Sequence, residues 1–216
     1  MAQTITVSKV LATAADADGI SLSQTPLAAG NLTITGALAS GGVATMDTQR
    51  RVLITAAGNE VSKTFTIYGT NKDGFAISES LTGPNATTTQ SLLDYLTVTR
   101  VAVSAATAGA ITVGTSGVGS SPWVPLNPWG IDYMTSLGAT VSGTVNYTVQ
   151  YTINDDPCGI ADPAVSAVKT WDITALASQS TDIISSLAVP ATAWRVTVNS
   201  GTGTVTVRGL QASGGQ

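Results

Sequence analysis

A strict alternation of apolar and polar residues constrains this chain more than any other feature of its sequence. In the segment from Ser142 to Pro157, every second position is apolar until the run ends at the turn-like Asn154–Pro157: Val145, Tyr147, Val149, Tyr151 and Ile153. A period of two residues places all of these side chains on one face of a β-strand. The segment therefore predicts a strand with one buried and one polar face.

Shorter segments of the same kind recur along the chain and are separated by turns rich in Gly, Asn and Asp. They begin at Thr4, Asn31, Arg51, Ser62, Phe75, Tyr95, Ala110, Lys169, Thr181, Thr192 and Gly203. Asn71–Gly74 predicts a tight hairpin, because Asp-Gly readily adopts the left-handed backbone of such turns. Asn199–Gly203 predicts a second hairpin loop. Only residues 88–96 and 163–171 could form a helical turn, so the sequence predicts an all-β chain with two-sheet cores.

A segment rich in proline and glycine, residues 116–130, indicates a domain boundary. It contains three prolines and two tryptophans, Trp123 and Trp129, and its prolines exclude regular structure. We expect the two rings to pack against the flanking domains. The sequence predicts an N-terminal β-sandwich over residues 1–118, a Pro/Gly/Trp linker over 119–130 and a C-terminal β-sandwich over 131–216. Each sandwich is expected to be jelly-roll or immunoglobulin-like.

Charge is scarce, which bears on the partners of the chain. Only 10% of the 216 residues are charged, against about 25% in an average protein, and the net charge is −4. Because no basic run occurs, we expect no nucleic-acid partner. A surface covered mainly by Thr, Ser, Asn and Gly loses its water readily, so we expect assembly with other subunits, including copies of the chain itself as a dimer or trimer.

No segment predicts contact with a membrane. The N-terminus lacks the basic start and apolar core of a secretory signal. The uncharged stretch over residues 101–131 is interrupted by Gly and Pro, which excludes a transmembrane helix. We therefore expect the chain to be made and used without crossing a membrane, and with no membrane partner.

The residue types present exclude most catalytic chemistry. The chain has no histidine, which removes Ser-His-Asp and Cys-His mechanisms and imidazole metal sites. Its one cysteine, Cys158, excludes an intrachain disulfide and a thiolate zinc site, and we interpret it as a small buried side chain. The sequence predicts no catalytic residue, no cofactor and no metal site.

The carboxylates are the remaining candidates for chemistry. Asp155, Asp156 and Asp162 surround one turn and could supply oxygen ligands to calcium, but their spacing does not match an EF-hand. A plain turn is favoured, because Asp side chains bond their own backbone. The same reasoning favours a turn at Asp16 and Asp18. The two glutamates outside these turns are predicted on a loop and on a strand: Glu60 and Glu79.

The aromatic residues permit either core packing or stacking on sugars. The chain has four tryptophans and five tyrosines, and most of those outside the linker lie on the apolar side of alternating strands. Core packing is therefore favoured, and Trp194 in particular is expected to be buried.

Several of these segments resemble structural proteins of tailed bacteriophages. "SGTVNYTVQYTINDDP", "TWDIT" and "ATAWRVTVNSGTGTVTVRGLQ" resemble the C-terminal region of small phage virion proteins, and "RVLITAAGNEVSKTFTIYGTNKDGFAISESLTGPN" with "YLTVTRVAVS" resembles other virion segments. The implied family is the head decoration, or cement, proteins, which are β-sandwich or jelly-roll units bound outside the capsid shell.

The resemblance implies a function and a location for the chain. It implies a non-enzymatic protein of the capsid surface that is assembled in the host cytoplasm and binds the major capsid protein. A chain of two domains is larger than the simplest cement proteins. This size leaves room for one domain that binds the shell and one that projects from it or self-associates. The alternatives are a low-copy tail, adaptor or fibre-base protein, a host-glycan-binding module, and last an enzyme with a buried pair of acids.

Overall fold

The computed structural model describes residues 3–10, 15–72, 74–127, 134–154 and 169–211. Within these ranges the chain is built from β-strands and one 3₁₀ turn, Thr174–Leu176, with no α-helix. The strands are β1 Gln3–Val10, β2 Asp16–Gln24, β3 Gly30–Asn31, β4 Ala39–Ser40, β5 Val43–Ala56, β6 Thr64–Thr70, β7 Ala76–Thr82, β8 Thr88–Val103, β9 Ile111–Thr115, β10 Gly119–Ser120, β11 Val124–Pro125, β12 Thr135–Ser142, β13 Val145–Thr152, β14 Trp171–Asp172, β15 Ile183–Leu187, β16 Ala193–Gly201 and β17 Thr204–Gln211. The predicted all-β class is confirmed.

One of the two possible helical turns is a strand in the structure. Residues 88–96 form the first part of β8, where Thr88, Thr89 and Gln90 pair with β5. The pairing with β5 and the burial of Leu93 and Tyr95 decide the conformation, which local sequence alone leaves open. The other segment, residues 163–171, lies mostly outside the described residues, and its last residue begins β14.

The chain divides into two compact units, residues 14–117 and residues 1–13 together with 118–216. β1 pairs antiparallel with β17, from Gln3 opposite Gln211 to Val10 opposite Thr204. The sequence predicts a first domain over residues 1–118, because the alternation in β1 predicts a strand without identifying its partner. β10 and β11, from the expected linker, both pair with β16.

The unit formed by residues 1–13 and 118–216 is a two-sheet sandwich. One sheet has the order β1-β17-β12-β15, and the other has the order β10-β16-β13-β14 with β11 also on β16. Apolar residues of both sheets form one core: Val124, Leu137, Ala139, Val145, Tyr147, Val149, Ile173, Leu176, Leu187, Ala191, Trp194, Val196, Val198, Val205 and Val207. The inward faces of β13, β16 and β17 follow the predicted alternation, although Ile153 lies after β13 and is exposed.

The connections β12–β13 and β16–β17 are among those in this unit that cross from one sheet to the other. β16 and β17 belong to different sheets, so the predicted hairpin at Asn199–Gly203 is wrong. The β16–β17 connection runs beside the β12–β13 connection, and the Gly203 N–H donates to the Thr144 carbonyl oxygen at 2.8 Å. Gly201 has a φ of +94°, a conformation that favours glycine. The turn composition resembles that of a hairpin, because both kinds of connection need glycine.

The unit over residues 14–117 is one sheet that bends around its own core. Its strands follow the order β2-β9-β5-β8-β6-β7, with β3 added to β8 and β4 added to β5. The long strands β5 and β8 carry register shifts, which bend a sheet and increase its twist. The predicted hairpin between β6 and β7 is confirmed: the Asn71 N–H donates to the Phe75 carbonyl oxygen, and Gly74 has a φ of +84°.

Candidate interaction surfaces

Glu60 is a buried carboxylate, but its partners give it a structural role. Its side chain is fully buried and lies 2.7 Å from the Lys63 ammonium group. It also accepts backbone N–H groups from Ala108 at 2.8 Å and Gly109 at 3.0 Å. A Cβ at Gly83 would collide with Glu60, so the β7–β8 connection packs against the same residue. The carboxylate therefore joins the β5–β6 connection to the β8–β9 connection, and the backbone and Cβ of Glu60 pack against the β7–β8 connection.

The environment of Glu60 favours its charged form. Burial alone would raise its pKa. The hydrogen bond and charge of Lys63 and the N–H groups of Gly109 and Ala108 outweigh that effect, so the pKa of Glu60 lies below its ordinary value. A buried acid with a raised pKa, as a general acid would need, is therefore not found at this position.

Glu79 and the Asp16–Asp18 segment also bind backbone. The Glu79 carboxylate accepts the N–H of Leu92 at 2.9 Å and the N–H of Leu93 at 3.0 Å, which holds a bulge of β8. Asp16 and Asp18 lie in β2 rather than in a separate turn, but the Asp16 carboxylate accepts the N–H of Asp18 at 3.3 Å, which is the local bond to backbone on which the turn prediction is based. These carboxylates therefore stabilise local backbone geometry.

Buried tyrosines have shifted pKa values in both units. Burial, with a smaller contribution from the charge of Glu79, raises the pKa of Tyr95 far above its ordinary value. Burial and the nearby Asp182 raise the pKa of Tyr147, whose hydroxyl donates to the Thr181 carbonyl oxygen at 3.0 Å. Both phenols are thus held in their neutral form, as expected for core residues.

The aromatic residues fall into buried and partly exposed groups. Trp194 is completely buried, which confirms its predicted place in the core. The Arg195 guanidinium group lies 4.7 Å from the centre of the Trp123 ring. Trp123 therefore packs, as expected, on the unit formed by residues 1–13 and 118–216. Tyr151 and Trp171 stack with ring centres 5.8 Å apart and are partly exposed.

Other sequence candidates lie outside the described residues: Asp155, Asp156, Asp162, Cys158 and Trp129. In the described ranges, no group of three or more His, Cys, Asp or Glu residues is placed to hold a metal ion. No helix in those ranges is long and apolar enough to cross a membrane.

An exposed face of the sandwich presents apolar side chains around a shallow depression. We call it the Ile184 face and define it by outward residues of β12, β15 and β17 together with Asp182, which directly precedes β15: Ser136, Gly138, Thr140, Asp182, Ile184, Arg208 and Leu210. The depression has a volume of about 700 Å³. Ile184 is 87% exposed and Leu210 is 41% exposed. Both side chains therefore leave apolar surface in contact with solvent on this face.

Strand register determines how this face is arranged. Gly138 of β12 lies between Ile184 of β15 and Arg208 of β17. Since a glycine has no side chain, Ile184 and Arg208 stand on either side of a gap. In the next row, the Asp182 carboxylate accepts the Val141 N–H at 2.8 Å. The face therefore combines a protruding isoleucine, a gap, one cation and one anion.

β15 also ends its sheet. It pairs with β12 on one side, and no strand in the described part of the chain pairs with its other side. An edge strand without proline, charge or a bulge can accept another strand. None of those features occurs within Ile183–Leu187.

A second apolar protrusion lies on the unit over residues 14–117. We call residues 25–29 the Leu27 loop, which connects β2 to β3 and contains no charge. Leu27 is 89% exposed, whereas the Pro26 carbonyl oxygen accepts the Thr107 N–H at 2.9 Å. The base of the loop is thus fixed while its apolar tip faces solvent.

The alternation, turns and composition of the sequence predict neither the Ile184 face nor the Leu27 loop as a surface feature. Ile183 and Ile184 are adjacent in a short strand, so one of them had to face outward, and this signal was available. The gap at Gly138 depends on pairing between strands more than 40 residues apart and was not. No protein-family model matches this sequence, and no curated protein is significantly similar to it.

Proposed function

We propose that this chain is a non-enzymatic structural protein of a tailed bacteriophage that binds and stabilises the outer surface of the capsid. The observation that carries this proposal is that each unit exposes a large apolar side chain on a fixed backbone, Leu27 on one and Ile184 on the other. Two separate contact surfaces allow one chain to join two neighbours, as a decoration protein must. The phage-like sequence segments support the same function.

The low charge of the chain is consistent with this function. A decoration protein binds an assembled shell in many copies, and its affinity comes from buried area and complementary shape. Contacts made by Leu27, Ala28 and Ala29 would bury apolar surface without desolvating a charge. We propose the Leu27 loop as the contact with the major capsid protein.

The test is binding to shells that lack the chain, prepared from the encoding phage with this gene deleted. We expect added protein to saturate the shells at a fixed ratio to the major capsid protein and to raise the temperature at which they break. Leu27→Ser should weaken binding at least tenfold. Leu92→Ser removes another exposed leucine from the same unit and should bind normally. Failure of the unaltered protein to bind such shells contradicts the proposal.

A glycan-binding module is the second candidate, because Tyr151 and Trp171 stack while remaining partly exposed. Aromatic rings of this kind can bind the apolar faces of sugars. A glycan array with the unaltered protein and with Trp171→Ala separates the two candidates. Glycan binding by the unaltered protein that is lost in Trp171→Ala supports the glycan-binding module. If the unaltered protein binds no glycan, the result favours the capsid-binding function.

A further inference from the structure

We propose that the Ile184 face binds the same face of a second copy of this chain across a two-fold axis. In this dimer, Ile184 of each copy fills the depression over the partner's Gly138, and Asp182 pairs with the partner's Arg208. This goes beyond the proposed function, because it concerns the isolated protein and holds whether or not a capsid is bound.

Gly138 is the first reason to expect a partner there. Glycine inside a strand weakens it and often marks the close approach of another backbone or a ligand. Two other strand glycines have a reason within the fold: a Cβ would collide with the Thr97 carbonyl oxygen at Gly69 and lie 3.0 Å from the Trp194 ring at Gly209. At Gly138 the nearest atom is Ile184 Cγ1, 3.9 Å away. The chain itself therefore does not require glycine at this position.

Charge is the second reason, since Asp182 and Arg208 stand at opposite sides of the face. Both are exposed, and no ion pair joins them to each other in the described residues. A two-fold axis that lies in the interface and bisects the line between them exchanges their positions. Asp182 then faces the partner's Arg208, and the symmetric pair forms at the same time.

The same two-fold axis also brings each Ile184 side chain close to the gap over the partner's Gly138. With strands about 4.8 Å apart and residues about 3.4 Å apart along each strand, Ile184 lands about 3 Å, in projection, from the partner's Gly138. The strands of the two copies then cross at about 70°, close to orthogonal sheet packing. One symmetry operation thus fills both depressions and pairs both charges.

The free energy of desolvation favours a second copy of the chain over an unrelated partner at this face. The remaining residues of the face are Ser, Thr and Leu, which lose little on leaving water. A partner of one charge sign would leave either Asp182 or Arg208 unpaired in the interface, which is costly. A second copy supplies one charge of each sign.

The test is sedimentation equilibrium of the purified full chain over a range of concentrations. We expect a monomer–dimer equilibrium. A Cβ added at Gly138 meets only Ile184 Cγ1, at 3.9 Å, so Gly138→Val should occupy the gap with its own subunit folded and should raise the dissociation constant at least tenfold. Gly30→Val is the matched control, because nothing lies within 4 Å of a Cβ added there and it belongs to the other unit.

Reversed charges test the pairing directly. Arg208→Asp and Asp182→Arg should each weaken the dimer at least tenfold, and the double variant should recover most of the affinity. Circular dichroism should show that every variant is folded. A strictly monomeric or trimeric unaltered protein overturns the proposal. So does a dimer that Gly138→Val leaves intact, or a double variant that stays as weak as the single ones.

Discussion

The Trp194 ring lies directly against Gly209, across the core between the two sheets of the sandwich. A Cβ placed at Gly209 would lie 3.0 Å from Trp194 Cζ2 and 3.3 Å from Nε1. Gly209 stands in β17 and Trp194 in β16, so this contact joins the two sheets. Trp194, the largest fully buried side chain among the described residues, therefore needs the smallest residue opposite it.

Removing the ring should destabilise the sandwich. Trp194→Ala is expected to lower the free energy of unfolding by about 3–5 kcal/mol, because it leaves a large cavity. Urea unfolding monitored by circular dichroism measures the loss, and Trp171→Ala, which truncates a partly exposed ring, should cost much less. An equal loss in the two variants would contradict the central position of Trp194.

Adding a methyl group at Gly209, on the other side of this contact, should also lower the stability of the sandwich. Gly209→Ala forces the Trp194 ring to move by a few tenths of an ångström, and overpacking of this kind costs about 1–3 kcal/mol. The same urea measurement applies. The control is Gly138→Ala, where a methyl group makes only an ordinary van der Waals contact with Ile184 Cγ1 at 3.9 Å, so stability should stay the same or rise. A Gly209→Ala protein as stable as the unaltered chain would mean that the ring is loosely packed.

Glu60 should make the unit over residues 14–117 sensitive to acid. Its pKa is lowered in the folded state, so its contribution is present above the unfolded pKa of about 4.3 and is lost as the pH falls through the folded value. Glu60→Gln should cost about 3 kcal/mol near neutral pH, since it leaves Lys63 without its buried partner. The free energy of unfolding of Glu60→Gln should then fall less steeply than that of the unaltered protein as the pH is lowered. Parallel acid dependence in both proteins, measured by urea unfolding, would contradict this role.

Tyr147 should make the sandwich sensitive to alkali. Because its folded pKa is raised, its contribution is complete below the unfolded pKa of about 10 and is lost as the pH rises further. Tyr147→Phe loses the hydrogen bond to Thr181, worth about 1 kcal/mol, but its stability should fall less above pH 10. Thermal unfolding between pH 8 and 11 measures this, with Tyr68→Phe as a surface control. An unchanged alkaline slope in Tyr147→Phe would contradict the prediction.

The division of the chain can be tested by truncation. Removing residues 131–216 was expected from the sequence to leave a domain that folds alone, and the structure defines the corresponding fragment as residues 14–117. We expect this fragment to unfold cooperatively. Deleting residues 1–13 from the full chain should lower only the melting temperature of the sandwich, because β17 loses its pairing with β1. Calorimetry that shows both units weakened equally would contradict this division.

The alternating segments contained enough information to predict strands but not their partners. Trp194, Val196 and Val198 share a buried face as the sequence predicts, because a period of two determines the face of a strand. The pairing of β1 with β17 joins residues about 200 positions apart, and local pattern does not encode it. For the same reason the glycine-rich segment Asn199–Gly203 predicts a hairpin, although β16 and β17 belong to different sheets.

The contact surfaces were still harder to predict. Ile184 and Leu27 are ordinary apolar residues in the sequence, and most such residues are buried. Their exposure follows from the end of a sheet and the shape of a loop, both of which depend on the whole fold. In contrast, the absence of histidine directly excluded several catalytic mechanisms, because it depends on composition alone.

The central claim, that this chain covers a phage capsid, is tested most directly by its copy number per particle. Quantitative mass spectrometry of purified virions of the encoding phage gives the ratio of this chain to the major capsid protein. We predict a fixed ratio in which the chain is present in numbers comparable to the capsid subunits. A handful of copies per particle would indicate a vertex or tail protein, and no copies would contradict a role in the virion.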